Sequence, residues 1–333
     1  MRGLTRLTLA GLGLAWLGLA AVASIPAKAQ GGESAQLAQA NAALQAGEAD
    51  KALVMLNALI KSGGKAEAYN LKCRVELTLE QWDRAANDCE QAVKLSGQNS
   101  DNHMWLARAL GEKASRASFL SAYSLAKRSR SEFEEAARLN PGNAAALADL
   151  GQFYYEAPAV VGGSEAKAEG VAAQLDKIDA VRAIELRGQI AEKRKDYVTA
   201  ERELKQAITK STHPAFQWIA LGGFYRRHER WTEMESAVRS GQSAAERDRH
   251  ASVALYDGAS VLRTANRDSE RAAKMLEEYL ANSEKSEDAP AFVVHTWLAR
   301  LREQLGDAAA AARERAAALA MAHEYKPALE LRH

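Results

Sequence analysis

Aromatic residues, proline and cysteine are all scarce in this 333-residue chain. Phe, Trp and Tyr together make up 6% of it, and there are only 6 prolines and 2 cysteines. A β-rich fold would use more aromatic and β-branched residues. This composition, with 47% hydrophobic residues, therefore favours an all-helical, alanine-rich protein.

A substantial net charge is also missing. The 44 basic and 43 acidic residues nearly cancel, so no overall field holds the chain on nucleic acid or on an anionic membrane. We therefore expect no nucleic-acid partner, and any charged ligand would need a local patch.

The N-terminus has the pattern of a secretory signal peptide. Arg2 and Arg6 precede an apolar run from Leu7 to Ala23, and Ala27-Lys28-Ala29 offers small residues before a cleavage site. We predict that residues 1–29 are removed, that the mature chain begins at Gln30 without a membrane span, and that it is periplasmic or secreted. The alternatives are cleavage after Ala23 and an uncleaved anchor, although the run is slightly short of the ~20 residues of a membrane helix.

A period of about 34 residues runs through the rest of the chain. Its two halves are clearest in residues 196–208, DYVTAERELKQAI, and in residues 218–225, WIALGGFY. Small residues recur at the places where two antiparallel helices can approach closely only if neither carries a bulky side chain. At position 8 of the repeat these are Cys73, Ala107, Gly151, Gly188, Gly222, Gly258 and Ala299.

The pattern resembles the tetratricopeptide repeat (TPR). Position 20 is Ala52, Ala85, Ala168, Ala200, Ala272 and Ala311, and position 27 is Ala92, Ala136, Ala207, Gly241 and Ala318. The resemblance implies an all-α, right-handed superhelical solenoid of about eight TPR-like antiparallel helix pairs over residues 30–322, with residues 323–333 as a C-terminal cap or tail. It also implies binding to other proteins, although a fold alone does not define a function.

The two cysteines fall in one repeat. Cys73 occupies position 8 and Cys89 occupies position 24, one on each helix of the pair. They are therefore expected within the ~5.5 Å Cα separation that a disulfide needs. We predict a disulfide that staples the second repeat, and the alternative is a pair of small buried residues.

Two insertions interrupt the period, near residues 112–128 in repeat 3 and near residues 158–162 in repeat 4. Equivalent turns of neighbouring repeats line up along one edge of a solenoid, so the insertions should form a raised rim. Basic residues outnumber acidic ones between Arg108 and Arg130, which predicts a basic rim. The alternative is a lengthened helix pair with a solvated basic face.

No catalytic or metal-binding pattern is present in the sequence. The 7 histidines are scattered, without the H-E-x-x-H spacing of a zinc protease, and no glycine-rich loop precedes a lysine. We therefore predict a protein that is not an enzyme and that has no cofactor and no metal.

The inner face of the stack and the rim are the predicted binding surface, because arginine and aromatic side chains suit extended peptide. The predicted partner-binding residues are Arg74, Arg108, Arg116, Phe119, Tyr123, Lys127, Arg128, Tyr155, Arg226, Arg227 and Arg263. We predict a scaffold or adaptor for a protein or extended peptide in the cell envelope, in assembly or secretion. The alternative is an accessory protein of polysaccharide export that binds an acidic polysaccharide, and the oligomeric state stays open.

Overall fold

The repeat period appears in the structure as a row of helices. The computed structural model describes residues 27–331, with side chains described from residue 32. Within that range the chain forms 17 α-helices, two short 3-10 turns and no strand. The α-helices are α1 (Ala27–Ala46), α2 (Ala49–Lys61), α3 (Ala66–Thr78), α4 (Trp82–Leu95), α5 (Ser100–Arg116), α6 (Phe119–Leu139), α7 (Ala144–Glu156), α8 (Glu165–Leu175), α9 (Ala180–Lys193), α10 (Tyr197–Lys210), α11 (Ala215–Arg227), α12 (Trp231–Glu246), α13 (Val253–Thr264), α14 (Ser269–Ala281), α15 (Ala291–Gln304), α16 (Ala308–Met321) and α17 (Lys326–Leu329). None of the helices in this range is long and apolar enough to cross a bilayer.

The first 26 residues, which hold most of the predicted signal peptide, lie outside the described residues. Helix α1 begins at Ala27, so the predicted cleavage site falls in its first turn.

Consecutive helices pack as eight pairs, from α1 with α2 to α15 with α16. The small residues of the repeat lie at the helix crossings. Cys73, Ala107 and Ala85 are each 0% exposed, as are Ala200 and Ala207 in a later repeat. The predicted all-α solenoid of about eight helix pairs is therefore confirmed.

Aspartate starts many of these helices. Asp179, Asp196 and Asp307 accept hydrogen bonds from backbone N–H groups three residues further on, at 3.1, 3.1 and 2.9 Å respectively. Such N-caps satisfy amides that have no partner inside the helix. The same signal recurs along the repeats, both at turns between pairs, as at Asp179, and at turns within a pair, as at Asp196 and Asp307.

The first and last repeats contact each other, so the row of helices closes on itself. Side chains from α1, α2 and α3 share one hydrophobic cluster with side chains from α15, α16 and the C-terminal segment. Asp50 of α2 accepts a hydrogen bond from the backbone N–H of His323 at 2.9 Å. Gly47 approaches α15 so closely that a Cβ on it would lie 2.3 Å from the backbone nitrogen of Ala291.

A short C-terminal segment seals this contact. Tyr325 is 2% exposed and packs edge-on against Phe292, with ring centroids 4.8 Å apart. Helix α17 follows at once, and Arg315 of α16 donates from Nε to the carbonyl of Ala328 at 3.1 Å. The segment therefore fills the space between the last helix pair and the first.

The insertion in repeat 3 lengthens both helices of the pair. Helices α5 and α6 have 17 and 21 residues, against 13 and 14 in α3 and α4. The insertion in repeat 4 forms the 3-10 turn Ala159–Val161. Arg130 of α6 donates to the carbonyl of Val161 at 3.2 Å, so the two insertions lie side by side.

Candidate binding cavity and rim

The closed row of helices surrounds a central cavity of about 630 Å³. Its wall combines residues of α3, α5 and α7 with residues of α13, α15 and the segment 282–290, which come from the other end of the chain. The aromatic residues in this wall are Trp82, Trp105, Phe133, Phe153, Tyr256, Trp297 and Tyr325. This volume lies within the usual range of ligand pockets.

On one side of the cavity, Trp105 is the centre of a polar network. The guanidinium carbons of Arg74 and Arg108 lie 5.0 and 4.4 Å from its ring centroid. Arg108 also pairs with Asp149, with Nε 2.6 Å from Oδ2. Arg74 donates from Nε to Glu287 at 2.9 Å. Both predicted arginines therefore line the cavity, where carboxylates already hold them against the indole ring.

At another place in the wall, Trp297 contacts two side chains. The ring of Tyr256 stacks on it with centroids 4.3 Å apart, and the guanidinium carbon of Arg263 lies 4.3 Å from its centroid. Beside them, burial raises the pKa of Asp257 to about 6, and the charge of Asp288 adds to the increase. This part of the site thus places stacked aromatic rings next to carboxyl groups, which favours a cation.

The cavity wall is acidic. Its carboxylates are Glu80, Glu112, Asp149, Glu156, Glu287 and Asp288. Two guanidinium groups oppose them, so the wall carries a net charge of −4. Three of these carboxylates, Glu80, Glu156 and Asp288, pair with no cation among the described residues. Each accepts a hydrogen bond from a neutral side chain. The cavity therefore has carboxylates left over to attract a positively charged ligand.

Four predicted site residues lie on inner-face helices but do not line this cavity: Tyr155, Arg226, Arg227 and Arg263. Arg227 forms a two-fold hydrogen bond with Glu192, at 2.7 and 2.8 Å. Burial alone would raise the pKa of Glu192, but the hydrogen bonds from Arg227 and His228 lower it below its usual value. Arg227 thus joins two neighbouring repeats.

The cations of the rim largely have partners. Arg116 pairs with Glu112 of α5 at 2.7 Å, and Arg128 pairs with Glu90 of α4 at 2.6 Å. The ammonium nitrogen of Lys127 lies 5.4 Å from the centroid of a tyrosine ring on the same helix. The excess of positive charge counted along the sequence is therefore much smaller on the folded surface.

An apolar groove lies at the rim, with a volume of about 460 Å³. It runs between the C-terminal end of α5, the N-terminal end of α6 and the insertion of repeat 4. Phe119 and Val160 are 83% and 69% exposed, and Tyr123, which is 38% exposed, lines the same groove. The predicted rim residues Phe119 and Tyr123 therefore come together in a hydrophobic surface.

The second repeat contains a disulfide. Cys73 of α3 and Cys89 of α4 are bonded, with their Cα atoms 5.3 Å apart. Both side chains are fully buried, and the described part of the chain holds no other cysteine. The bond lies close behind the cavity wall, since Arg74 follows Cys73 directly.

Histidines make structural contacts with carboxylates. His103 contacts Glu132 through Nδ1 at 2.6 Å and the carbonyl of Gly97 through Nε2 at 3.0 Å. His295 contacts Glu314 at 2.6 Å. Within residues 32–331, no group of three or more His, Cys, Asp or Glu residues is placed to hold a metal ion.

Several cavity residues were missed from the sequence. The repeat pattern does not predict Trp105, Tyr256 and Trp297 as site residues, and it does not predict Glu287 and Asp288. A signal was present, because the segment 282–290 is the longest stretch without a helix between successive repeats of the described chain. Such a departure from the period marks a place where a repeat protein can build a binding surface.

No protein-family model matches the chain, and no curated protein matches it. Solved structures similar to it include a thermophilic TPR protein from Thermus thermophilus, with 18% identity, 58% of this chain and 98% of that chain covered, and a TM-score of 0.49. A TPR protein from Parabacteroides merdae shows 13% identity over 81% of this chain and 98% of that chain, with a TM-score of 0.45. The described part of the present chain is an all-α solenoid of eight antiparallel helix pairs, with small buried residues at their crossings.

Proposed function

We propose that this chain is a protein-binding scaffold whose central cavity holds a positively charged, extended segment of a partner protein. The observation that carries the proposal is the composition of the cavity wall. It contains six carboxylates and seven aromatic residues but only two guanidinium groups. Carboxylates attract lysine and arginine side chains, and aromatic rings bind the same cations through their faces.

The stacked pair of Tyr256 and Trp297 is the proposed anchor for one basic side chain. Asp288 lies in the same wall and Asp257 stands beside it, so a cation at the ring faces would also meet a carboxyl group. Trp105 is already covered by two arginines, and Arg263 already lies over Trp297, so within the stacked pair the ring of Tyr256 is the proposed contact for the basic side chain. The anchor therefore lies at the C-terminal side of the cavity.

An acidic polysaccharide suits this cavity poorly. Its carboxylates would meet a wall of net charge −4, and like charges at close range repel. The arginines that would have to bind such a polysaccharide, Arg74 and Arg108, are committed to Glu287 and Asp149. A protein segment is therefore the proposed ligand.

The proposed setting is the cell envelope or the exterior of the cell, because the N-terminal sequence predicts export. N-terminal sequencing of the protein from its native host should find Gln30 as the first residue, in the soluble envelope fraction or the medium. An intact Met1 form in the membrane would contradict export and leave the cavity proposal untouched.

Two labelled peptides test the ligand class. One is a decapeptide with four lysines among serines and glycines, and the other carries glutamate at the same four places. Fluorescence anisotropy should show binding of the lysine peptide alone, with an affinity that falls as salt rises. Binding of the glutamate peptide, or of polygalacturonate as an anionic polysaccharide, would overturn the proposal, as would no binding of the lysine peptide.

Neutral variants locate the binding. Glu156→Gln and Asp288→Asn each remove a carboxylate that has no cation partner among the described residues, so neither change breaks an ion pair seen there. Each should weaken the lysine peptide about fivefold, as expected for a partly exposed ion pair. Glu270→Gln, an exposed carboxylate on α14 outside the cavity, is the matched control and should leave the affinity unchanged.

A further inference from the structure

The apolar groove at the rim has the features of a second binding surface, separate from the acidic wall of the central cavity. Its lining includes several small residues, and Phe119 of α6 and Val160 of the repeat 4 insertion, which also line it, have most of their surface in water. The small residues are Gly111, Ala114, Ala122, Ala126 and Ala157. Exposed apolar side chains beside small residues form the kind of patch that a ligand covers.

The lengthened helices of repeat 3 create this groove. Helix α6 has seven more residues than α4 (21 against 14), which amounts to about two turns or ~10 Å of helix. The extra turns carry Phe119 and Tyr123, and the insertion of repeat 4 supplies the facing wall. The two departures from the repeat period thus combine to build one apolar surface.

The groove is continuous with the central cavity. Gly111, Phe153 and Glu156 line both of them. A chain that leaves the cavity over repeats 3 and 4 therefore passes directly into the groove. Glu156, the one charged residue in the groove wall, stands at the junction and accepts a hydrogen bond only from Gln152.

We infer that the groove binds hydrophobic residues of the same partner segment whose basic residues occupy the cavity. This inference rests on the proposed function and adds a second requirement to it. The ligand is an extended segment in which a basic stretch is followed or preceded by two or three large apolar residues. Recognition in the groove comes from burial of apolar surface, since its wall is otherwise uncharged.

The test extends the lysine decapeptide at either end. One pair of probes carries Leu-Phe-Leu at the N-terminus or at the C-terminus, and a second pair carries Ser-Gly-Ser. One Leu-Phe-Leu probe should bind at least about tenfold more tightly than its Ser-Gly-Ser partner, as expected when one large apolar side chain is buried. Equal affinities within both pairs would overturn the inference while the proposed function stands.

Matched variants assign the gain to the groove. Phe119→Ser and Val160→Ser should each remove most of the tenfold gain and leave the affinity for the unextended lysine peptide unchanged. Leu120→Ser is the control for Phe119, since Leu120 is 80% exposed on the same turn but does not line the groove. Val198→Ser on α10, where Val198 is 81% exposed, is the control for Val160. A gain that survives both groove variants would overturn the inference.

Other occupants of the groove would give distinct results. Leu-Phe-Leu attached to the glutamate peptide should not bind, and binding through Phe119 would show an independent apolar site. Sedimentation velocity tests whether the groove is a contact between copies of this chain. If it were, the protein would self-associate and Phe119→Ser would abolish the association; we expect no such effect. Flotation with phosphatidylglycerol vesicles should likewise be negative. A positive result in any of these three experiments overturns the inference.

Discussion

Replacing Glu76 by Gln should remove a strong pH dependence from the stability of the second repeat. Glu76 is 2% exposed, and its Oε2 has no hydrogen-bond partner among the described residues. Lys72 places its Nζ 3.6 Å from Glu76 but only 2.9 Å from Asp88. Burial, together with the nearby charge of Asp88, raises the pKa of Glu76 to about 8.

The size of the effect follows from the difference between the folded and unfolded states. In the unfolded chain a glutamate titrates near pH ~4.3. Between that value and pH 8 the folded protein therefore holds a proton that the unfolded chain has released, and the free energy of unfolding falls as pH rises. From pH 5 to pH 7 the loss due to Glu76 is roughly 2 to 3 kcal/mol. Above pH 8 the folded carboxyl also ionises and the loss levels off.

Urea denaturation of the wild type and of Glu76→Gln at pH 5, 6 and 7, with the disulfide intact, measures this loss. Groups that do not interact with Glu76 contribute equally to both proteins. The difference between the two unfolding free energies therefore isolates Glu76 together with its neighbours Lys72 and Asp88. As pH rises from 5 to 7, the free energy of unfolding of Glu76→Gln should increase relative to that of the wild type, by as much as the wild type loses through Glu76. Glu67→Gln, on the exposed side of the same helix, should keep a constant difference. A constant difference for Glu76→Gln as well would refute the reasoning.

Three further changes test the packing and the closure of the solenoid. Thiol labelling of the unreduced, denatured chain should find no reactive thiol at Cys73 or Cys89, and reduction should lower stability by up to ~3 kcal/mol because the bond closes a short loop; two reactive thiols per chain would contradict the bond. Gly188→Ala should raise the free energy of unfolding by up to about 1 kcal/mol, because a Cβ there meets its neighbours no closer than 3.4 Å. Gly188→Leu should lower it by more than ~1 kcal/mol through overpacking, and equal melting temperatures for the two variants would show that the repeat register is wrong. Gly47→Ala should destabilise the protein more than Gly306→Ala does, because both glycines have positive φ but only the first faces backbone atoms within 4 Å; equal losses in thermal melts would argue against the contact between the ends.

The candidate site was only partly accessible from the sequence. The repeat pattern predicts Arg74 and Arg108, because their positions in the repeat face the inner side, and both line the cavity. Their ion pairs could not be predicted from the repeat pattern, because the carboxylates that hold Arg74 and Arg108 belong to other repeats. Glu287 is separated from Arg74 by more than two hundred residues in the chain. A pattern with a period of one repeat carries no information on such a contact.

The rim was also only partly predictable from the sequence. The two insertions were visible as breaks in the period, and the expectation that they lie together follows from the geometry of any solenoid. Their charge was misjudged by counting residues along one segment. Arg128 finds its partner Glu90 on the preceding repeat, so the surface that remains exposed is defined more by Phe119 and Val160 than by the cations.

The sequence by itself determined the helix pairs, because each pair depends on neighbours in the chain: small residues at the crossings, such as Ala85 and Ala200, and aspartates that cap the helices. Only the tertiary structure decided that the row closes. Closure depends on the small rotation between successive pairs summed over eight of them, and no single repeat encodes that sum. The contact of Gly47 with Ala291 is its result, and the acidic, aromatic cavity exists because residues from both ends of the chain then face one another across the same space.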